Sequence, residues 1–311
     1  MKISVIIPVY NAEKYISKAV ESALQFAEVS EVILIEDQSP DNALKICQEL
    51  AQKYDRIQLF RHPDKKNHGA GASRNLGIEK SSGDFIAFLD ADDYFLPNRF
   101  DAEKELFKNP KVDGVFNAIG TEYLTEKGKE EFQSNINDSD LLTVNYPAEG
   151  KEVFHGLLGL THKRFGSFFT LDALTVRKSS LDTYHLRFNA ALRLHQDSDF
   201  IFKLSYHCHL KSGIIDRPVA MRGIHDDNRI TKIVKYSPQY NQKQHLFWNS
   251  LYEWSKILPL ETNAARHIYL QKKAFELSGK KGLSKALSLL TTILKNPNIL
   301  RTKYRFTYTH S

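Results

Sequence analysis

The chain has 311 residues, room for one large domain with an appendage, and 41% hydrophobic with 26% charged residues excludes a disordered or multi-span chain. Cys47 and Cys208 are its only cysteines, which excludes a disulfide framework and fits a reducing, cytoplasmic setting. The net charge of +6 is uneven: residues 235–311 hold ten Lys and three Arg against three Glu, a net +10, leaving −4 on residues 1–234 and pointing the last quarter at phospholipid, nucleic acid or a phosphorylated ligand.

In chain order, Ile3 to Val9 reads as a buried strand, its apolar run too short for a signal peptide. Asn11 is placed to cap a helix with Tyr15, Ile16, Ala19, Val20, Ala23 and Leu24 on one face. Glu31 to Ile35 is a second strand. Asp41 then caps a helix whose apolar face is Ala43, Leu44, Cys47, Leu50, Ala51 and Tyr54, and Ile57 to Phe60 is a third strand. Gly69-Ala70-Gly71-Ala72 opens a short helix ending near Ser81-Ser82-Gly83. Phe85 to Leu89 follows as a strand running straight into Asp90-Ala91-Asp92-Asp93. Pro97 suits the first turn of another helix, and Val112 to Asn117 reads as a fifth strand. The polar segment 121–165 has no clear period. Phe168 to Arg177 reads as a strand, Asp197 to Tyr206 as a helix, and 239–295 as mostly helical, with Trp248, Leu251, Trp254 and Leu258 sharing a face. No stretch approaches the roughly 18 uncharged apolar residues of a spanning helix.

Alternating strands and helices make this an α/β chain, and in open α/β sheets ligands sit beyond the carboxyl ends of the strands. Those ends supply Tyr10-Asn11, Glu36-Asp37-Gln38-Ser39, Arg61-His62 and Asp90 to Asp93. Carboxylates gathered at one sheet edge repel unless a cation collects them, and hard oxygen ligands suit Mg²⁺ or Mn²⁺ with coordination positions left for phosphate oxygens. Asp90 and Asp92, two apart, share a side if the extended backbone persists. Alone, a D-x-D sequence is equally a turn-forming cluster before a helix.

Pro8-Val9-Tyr10-Asn11, Glu36-Asp37-Gln38-Ser39-Pro40-Asp41, Gly71-Ala72-Ser73-Arg74-Asn75-Leu76-Gly77 and Gly83 through Asp93 together resemble, in order and spacing, the successive motifs of family 2 glycosyltransferases. The resemblance covers about residues 1–120 and continues more faintly to about 231. It implies the A-type glycosyltransferase fold, a Rossmann-like arrangement with a mixed, mostly parallel central sheet. Residues 1–234 would then be catalytic, with 1–120 binding a nucleotide sugar and 121–234 on the acceptor side. Residues 235–311 would be a basic helical extension. It further implies inversion, a divalent metal (Mn²⁺ or Mg²⁺), a UDP-sugar donor and a hydroxyl acceptor on a glycan or glycolipid, as in bacterial surface polysaccharide synthesis. By the same resemblance, Pro8, Val9, Tyr10 and Asp37 contact the nucleobase and Arg74 lies near the nucleotide. Asp90-Ala91-Asp92 line the diphosphate, Asp90 near ribose and metal and Asp92 on the metal itself. Arg187-Phe188-Asn189 and His195-Gln196-Asp197 match the turn and helix start that carry the general base, with Gln196 where the family has Glu. Asp197 takes the base position, and Asp199 competes within a register error. Arg222 to Thr231 matches a basic loop over the diphosphate, in which His225 is a third metal ligand or a phosphate contact and Arg229 a phosphate partner.

The competing class is a non-catalytic module whose basic tail binds nucleic acid or membrane. Tyr236, Tyr240, Phe247, Trp248, Tyr252 and Trp254 have helical spacing, which favours packing, so no nucleic acid is expected. Leu283, Ala286, Leu287, Leu290 and Ile293 beside Lys280, Lys281, Lys285 and Lys295 fit a helix lying on a membrane as well as one packed on the protein.

Overall fold

The computed structural model describes residues 1–135, 141–166, 169–226 and 236–302. The chain divides into two compact units, residues 1–130 with 137–226, and residues 131–136 with 227–311. The strands are β1 (Ile3–Val9), β2 (Val29–Glu36), β3 (Ile57–Arg61), β4 (Phe85–Phe88), β5 (Tyr94–Phe95), β6 (Gly114–Phe116), β7 (Ala118–Tyr123), β8 (Leu141–Leu142), β9 (Leu174–Arg177), β10 (Leu210–Ser212) and β11 (Pro218–Ile224). The helices up to residue 207 are α1 (Ile16–Leu24), α2 (Ala43–Lys53), α3 (Ala70–Lys80), α4 (Asp101–Leu106), α5 (Glu126–Asn135), α6 (Lys151–Leu158), α7 (Lys178–Thr183) and α8 (Gln196–His207).

The main sheet of the first unit has the order β10-β6-β9-β4-β1-β2-β3, with β9 antiparallel to both neighbours and the other pairings parallel. This is the expected α/β, mixed and mostly parallel architecture. A parallel sheet buries both faces, which is why β1 reads as a continuous apolar run. Ile3, Val5, Ile7 and Val9 pack against Ile16, Ala19 and Val20 of α1 and Ala43, Cys47 and Leu50 of α2. Ile6, Ile33, Ile86 and Phe88 pack on the other face with Ile78 of α3, Leu181 of α7 and Phe200 and Leu204 of α8. Each such side chain contributes about 1.5–3 kcal/mol on burial. Ser4, fully buried within β1, donates to Glu31 at 2.5 Å and accepts the Gly83 N–H at 2.9 Å, so its hydroxyl is satisfied. A second sheet, β5-β11-β7-β8, meets the loop after β4, where Gly223 of β11 donates to Asp93.

Four local readings are corrected. Asn11 does not cap α1: it is left-handed at φ 53° and α1 begins at Ile16. Pro97 sits in the turn before α4 rather than in its first turn. The stretch 112–117 is a strand only over Gly114–Phe116. Asn117 passes the chain to the second sheet, its side chain accepting the Ile214 N–H at 2.7 Å and donating to Glu103 at 3.0 Å. Within 168–177 only Leu174–Arg177 is strand, and Leu171–Ala173 is a 3₁₀ turn. That turn is claimed by a buried ion pair: Arg99, 2.5 Å from Glu103, donates to the carbonyls of Asp172 at 2.8 Å and Leu174 at 3.1 Å. Residues 167–168 lie outside the described set. The unassigned segment 121–165 holds the end of β7, α5, β8 and α6.

The second unit contains α9 (Pro238–Ser255), α10 (Thr262–Ser278) and α11 (Gly282–Lys295), followed by a 3₁₀ turn over Pro297–Arg301. Ser237 caps α9 by accepting the Tyr240 N–H, with Pro238 at the first helical position. Phe247 and Trp248 are buried, and Tyr240 meets Phe275 edge to face at 6.3 Å. These aromatic side chains pack the helices, as their spacing predicts.

Candidate active site

β2 and β3 lie on one side of β1 and β4 on the other, so the strand order reverses between β1 and β4 and opens a crevice at their carboxyl ends. Three of the motifs end there. The Asp37 N–H bonds the Val9 carbonyl at 2.9 Å, fastening the end of β2 to the end of β1, where Pro8, Val9 and Tyr10 stand. The loop after β4 brings Asp90, Asp92 and Asp93 together, with one carboxylate oxygen from each within 4.8 Å of the others. The strand stops at Phe88, so a turn closed by the Asp93 N–H on the Asp90 carbonyl, and not the pleat, puts Asp90 and Asp92 together.

β11 completes the cluster from the second sheet. Gly223 donates its N–H to Asp93 at 2.9 Å, and a Cβ at Gly223 would collide with the Asp92 carbonyl, so only glycine permits this approach. Arg222 to Ile224 therefore end a strand rather than belong to a loop. His225, 6% exposed, points Nε2 to 3.1 Å from Asp92 and stacks on Tyr15 with ring centroids 4.6 Å apart. Arg229 lies outside the described residues.

Arg74 on α3 is buried and paired through Nη2 with Asp90. Its Nε–H is buried and has no hydrogen-bond partner among the described residues. Asp37, 2% exposed, accepts the N–H groups of His68 and Gly69, each at 2.7 Å, and so fixes the loop leading into α3; each oxygen keeps a second lone pair. Asn75, next to Arg74, donates to the Phe188 carbonyl at 2.9 Å and accepts the Phe188 N–H at 2.8 Å. This two-way clamp holds the turn before α8 onto α3, and Phe188 stacks on Phe200 at 4.1 Å. Asn75→Ala removes both bonds and is expected to cost about 2 kcal/mol of unfolding free energy, read as a lower urea midpoint.

At the start of α8, the Gln196 carboxamide lies against Gly71, the second residue of α3, so that small residue lets the two helix starts meet. His195 precedes them in the left-handed region at φ 60°. Asp197 is half-buried in the first turn and forms no hydrogen bond or ion pair among the described residues. Asp199 differs: it is fully buried and bound to Lys203 at 2.6 Å.

Two carboxyls stand out that were not read from the sequence as site residues. Asp93 is buried, and burial first, then the charges of Asp172, Asp92 and Asp90, push its pKa well above the ordinary value. Asp172 accepts the Asp90 N–H at 2.8 Å. Burial, then the charge of Asp90, raises its pKa from 3.8 to about 7, against the lowering effect of that N–H and of Arg74. Packed carboxyls short of positive charge, with hard oxygen donors and open solvent on Asp90 and Asp92, fit a divalent cation. A raised native pKa means that between about pH 4 and 7 the native state holds a proton the unfolded chain has lost, so stability falls as pH rises through that window. In chelator the protein is therefore expected to melt lower at pH 7.5 than at pH 5, and Asp172→Asn to flatten that dependence. Added Mn²⁺ should raise the melting temperature more at pH 7.5, because ligands must shed protons to bind it. Thermal melts at the two pH values check both.

The profile described as Glycosyl transferase family 2 matches residues 4–170. An uncharacterized glycosyltransferase of Haemophilus influenzae is 43% identical over 105 residues, 33% of this chain and 40% of the relative. A cholesterol galactosyltransferase of Borreliella burgdorferi is 30% identical over 167 residues, 53% of this chain and 44% of the relative. The chain thus spans less than half the length of these curated relatives. Among solved structures, residues 1–349 of S. aureus TarS in complex with UDP-GlcNAc superpose with a TM-score of 0.63 at 17% identity, covering 99% of this chain and 88% of that one, a likeness of fold.

Proposed function

Starting from the fact that this chain belongs to glycosyl transferase family 2, we propose that it transfers a sugar, with inversion, from a UDP-sugar to a hydroxyl of a glycan or lipid-linked acceptor in bacterial surface polysaccharide synthesis. The observation that carries the reading is the convergence of Asp90, Asp92 and Asp93 at the strand-order reversal, with His225 brought to Asp92 from the other sheet. Nucleotide-diphosphate recognition needs such a site beside a pocket for the base, and the ends of β1 and β2 lie next to it. The UDP-GlcNAc bound by TarS supports a uridine diphosphate donor. The matches to a teichoic acid biosynthesis protein of Bacillus subtilis and to the cholesterol galactosyltransferase support a glycan or lipid acceptor.

In this reading the backbone of Pro8, Val9 and Tyr10 and the spare lone pairs of Asp37 hold the base. Asp92, with Asp90 and His225, would hold Mn²⁺ or Mg²⁺, which supplies positive charge to the leaving diphosphate. Arg74 orients Asp90, and Arg229 is the proposed phosphate partner beyond β11. Asp197 removes the proton of the acceptor hydroxyl as its oxygen attacks the anomeric carbon from the face opposite the diphosphate. Its partial exposure and lack of a partner among the described residues support the role, whereas Asp199 is fully buried with one oxygen bound to Lys203. The test is UDP release from a panel of UDP-sugars with oligosaccharide and glycolipid acceptors. Acceptor-stimulated release from one donor is expected, and no release from any would count against the reading.

A further inference from the structure

Helix α11 has two apolar faces, and the fold uses one. Leu289 and Ile293 pack with Leu270, Ala274, Leu277 and Ile299, and Thr292 between them is buried. The other face is Leu283, Leu287, Leu290 and Leu294, which are 77%, 55%, 58% and 84% exposed. At 3.6 residues per turn these four fall within an arc of about 60°, a continuous ridge about three turns long. A single exposed leucine is ordinary, but four in line on one helix call for a partner.

Charge selects the partner. α11 contains Lys285 and Lys295 and no acidic residue, Lys280 and Lys281 precede it, and residues 235–311 carry +10. A second copy of this chain would bring two such segments together against their mutual repulsion, whereas an anionic bilayer attracts them. Among the described residues no helix is long and apolar enough to cross a membrane, so the surface fits lying on lipid rather than spanning it.

We propose that the Leu283–Leu287–Leu290–Leu294 ridge of α11 docks on an anionic phospholipid surface, the leucines entering the acyl boundary and the net positive charge of the segment drawing it to the headgroups. The proposal stands apart from the catalytic reading, since it uses none of the site residues. It is tested by floating the full chain with vesicles of phosphatidylcholine alone and of equal parts phosphatidylcholine and phosphatidylglycerol, for the parent and a Leu287→Glu, Leu290→Glu variant. Both positions are exposed, so the variant is expected to keep the parent's melting temperature. The parent should float with the mixed vesicles and far less with phosphatidylcholine, and the variant's floated fraction should fall at least ~10-fold. Equal flotation of parent and variant would overturn the proposal by showing attraction through charge alone. Absence of flotation would overturn it too, as would leucine-dependent dimers in sedimentation without vesicle binding, which would assign the ridge to self-association.

Discussion

Asp197→Asn is expected to lower the rate of sugar transfer about 10³-fold while leaving UDP affinity at the parent value. Asparagine keeps the size of the side chain and its place in the first turn of α8 but cannot take a proton. The position makes no hydrogen bond or ion pair among the described residues, so the substitution breaks nothing that holds the fold. Asp199→Asn is the informative contrast. It removes the charge of the fully buried member of the pair with Lys203 and should show itself first as lost stability, because the interior loses a charge-assisted hydrogen bond. Stopped-flow or coupled assays of UDP release, with titrations of UDP on the same preparations, separate the two. Full turnover in Asp197→Asn would remove Asp197 from the base role.

Asp92→Ala is expected to abolish the gain in UDP affinity that Mn²⁺ confers, a loss of about 100-fold or more when the ion is present. Asp92 is the carboxylate shared by the acidic cluster and His225, so its removal takes away a proposed ligand and the contact with His225 Nε2. Without the ion the variant and the parent should bind UDP alike, since the proposed base contacts at Val9 and Asp37 are untouched. Equal enhancement by Mn²⁺ in parent and variant would show that the ion sits elsewhere.

The parts of the fold legible in the sequence are those where one local pattern coincides with one tertiary role. β1 and β2 are apolar over their length because both faces of the sheet are covered, and α3 follows a glycine-rich opening that its close neighbours require. The acidic loop after β4 was legible as a cluster, but not its membership. Asp93 reads as one more turn residue until Gly223, 130 residues away, donates to it. Asp172 lies in an apolar stretch that reads as strand, and its partner is 82 residues distant. Asn75 sits inside a recognised motif, yet its clamp on Phe188 spans 113 residues. The apolar positions of α11 give a similar lesson. Periodicity groups Leu283, Ala286, Leu287, Leu290 and Ile293 into one face, and only packing separates Ile293, which is covered, from the leucines, which are not.

The central claim is a cation-assisted site for a uridine diphosphate sugar at the ends of β1, β2 and β4. Its most direct test is calorimetric titration of the full chain with UDP, and with GDP and CDP for comparison, in Mn²⁺ and in chelator. The account predicts that UDP binds in preference to the other two and that Mn²⁺ tightens it by at least about tenfold, or about 1.4 kcal/mol. Failure of all three nucleotides to bind under either condition would contradict it.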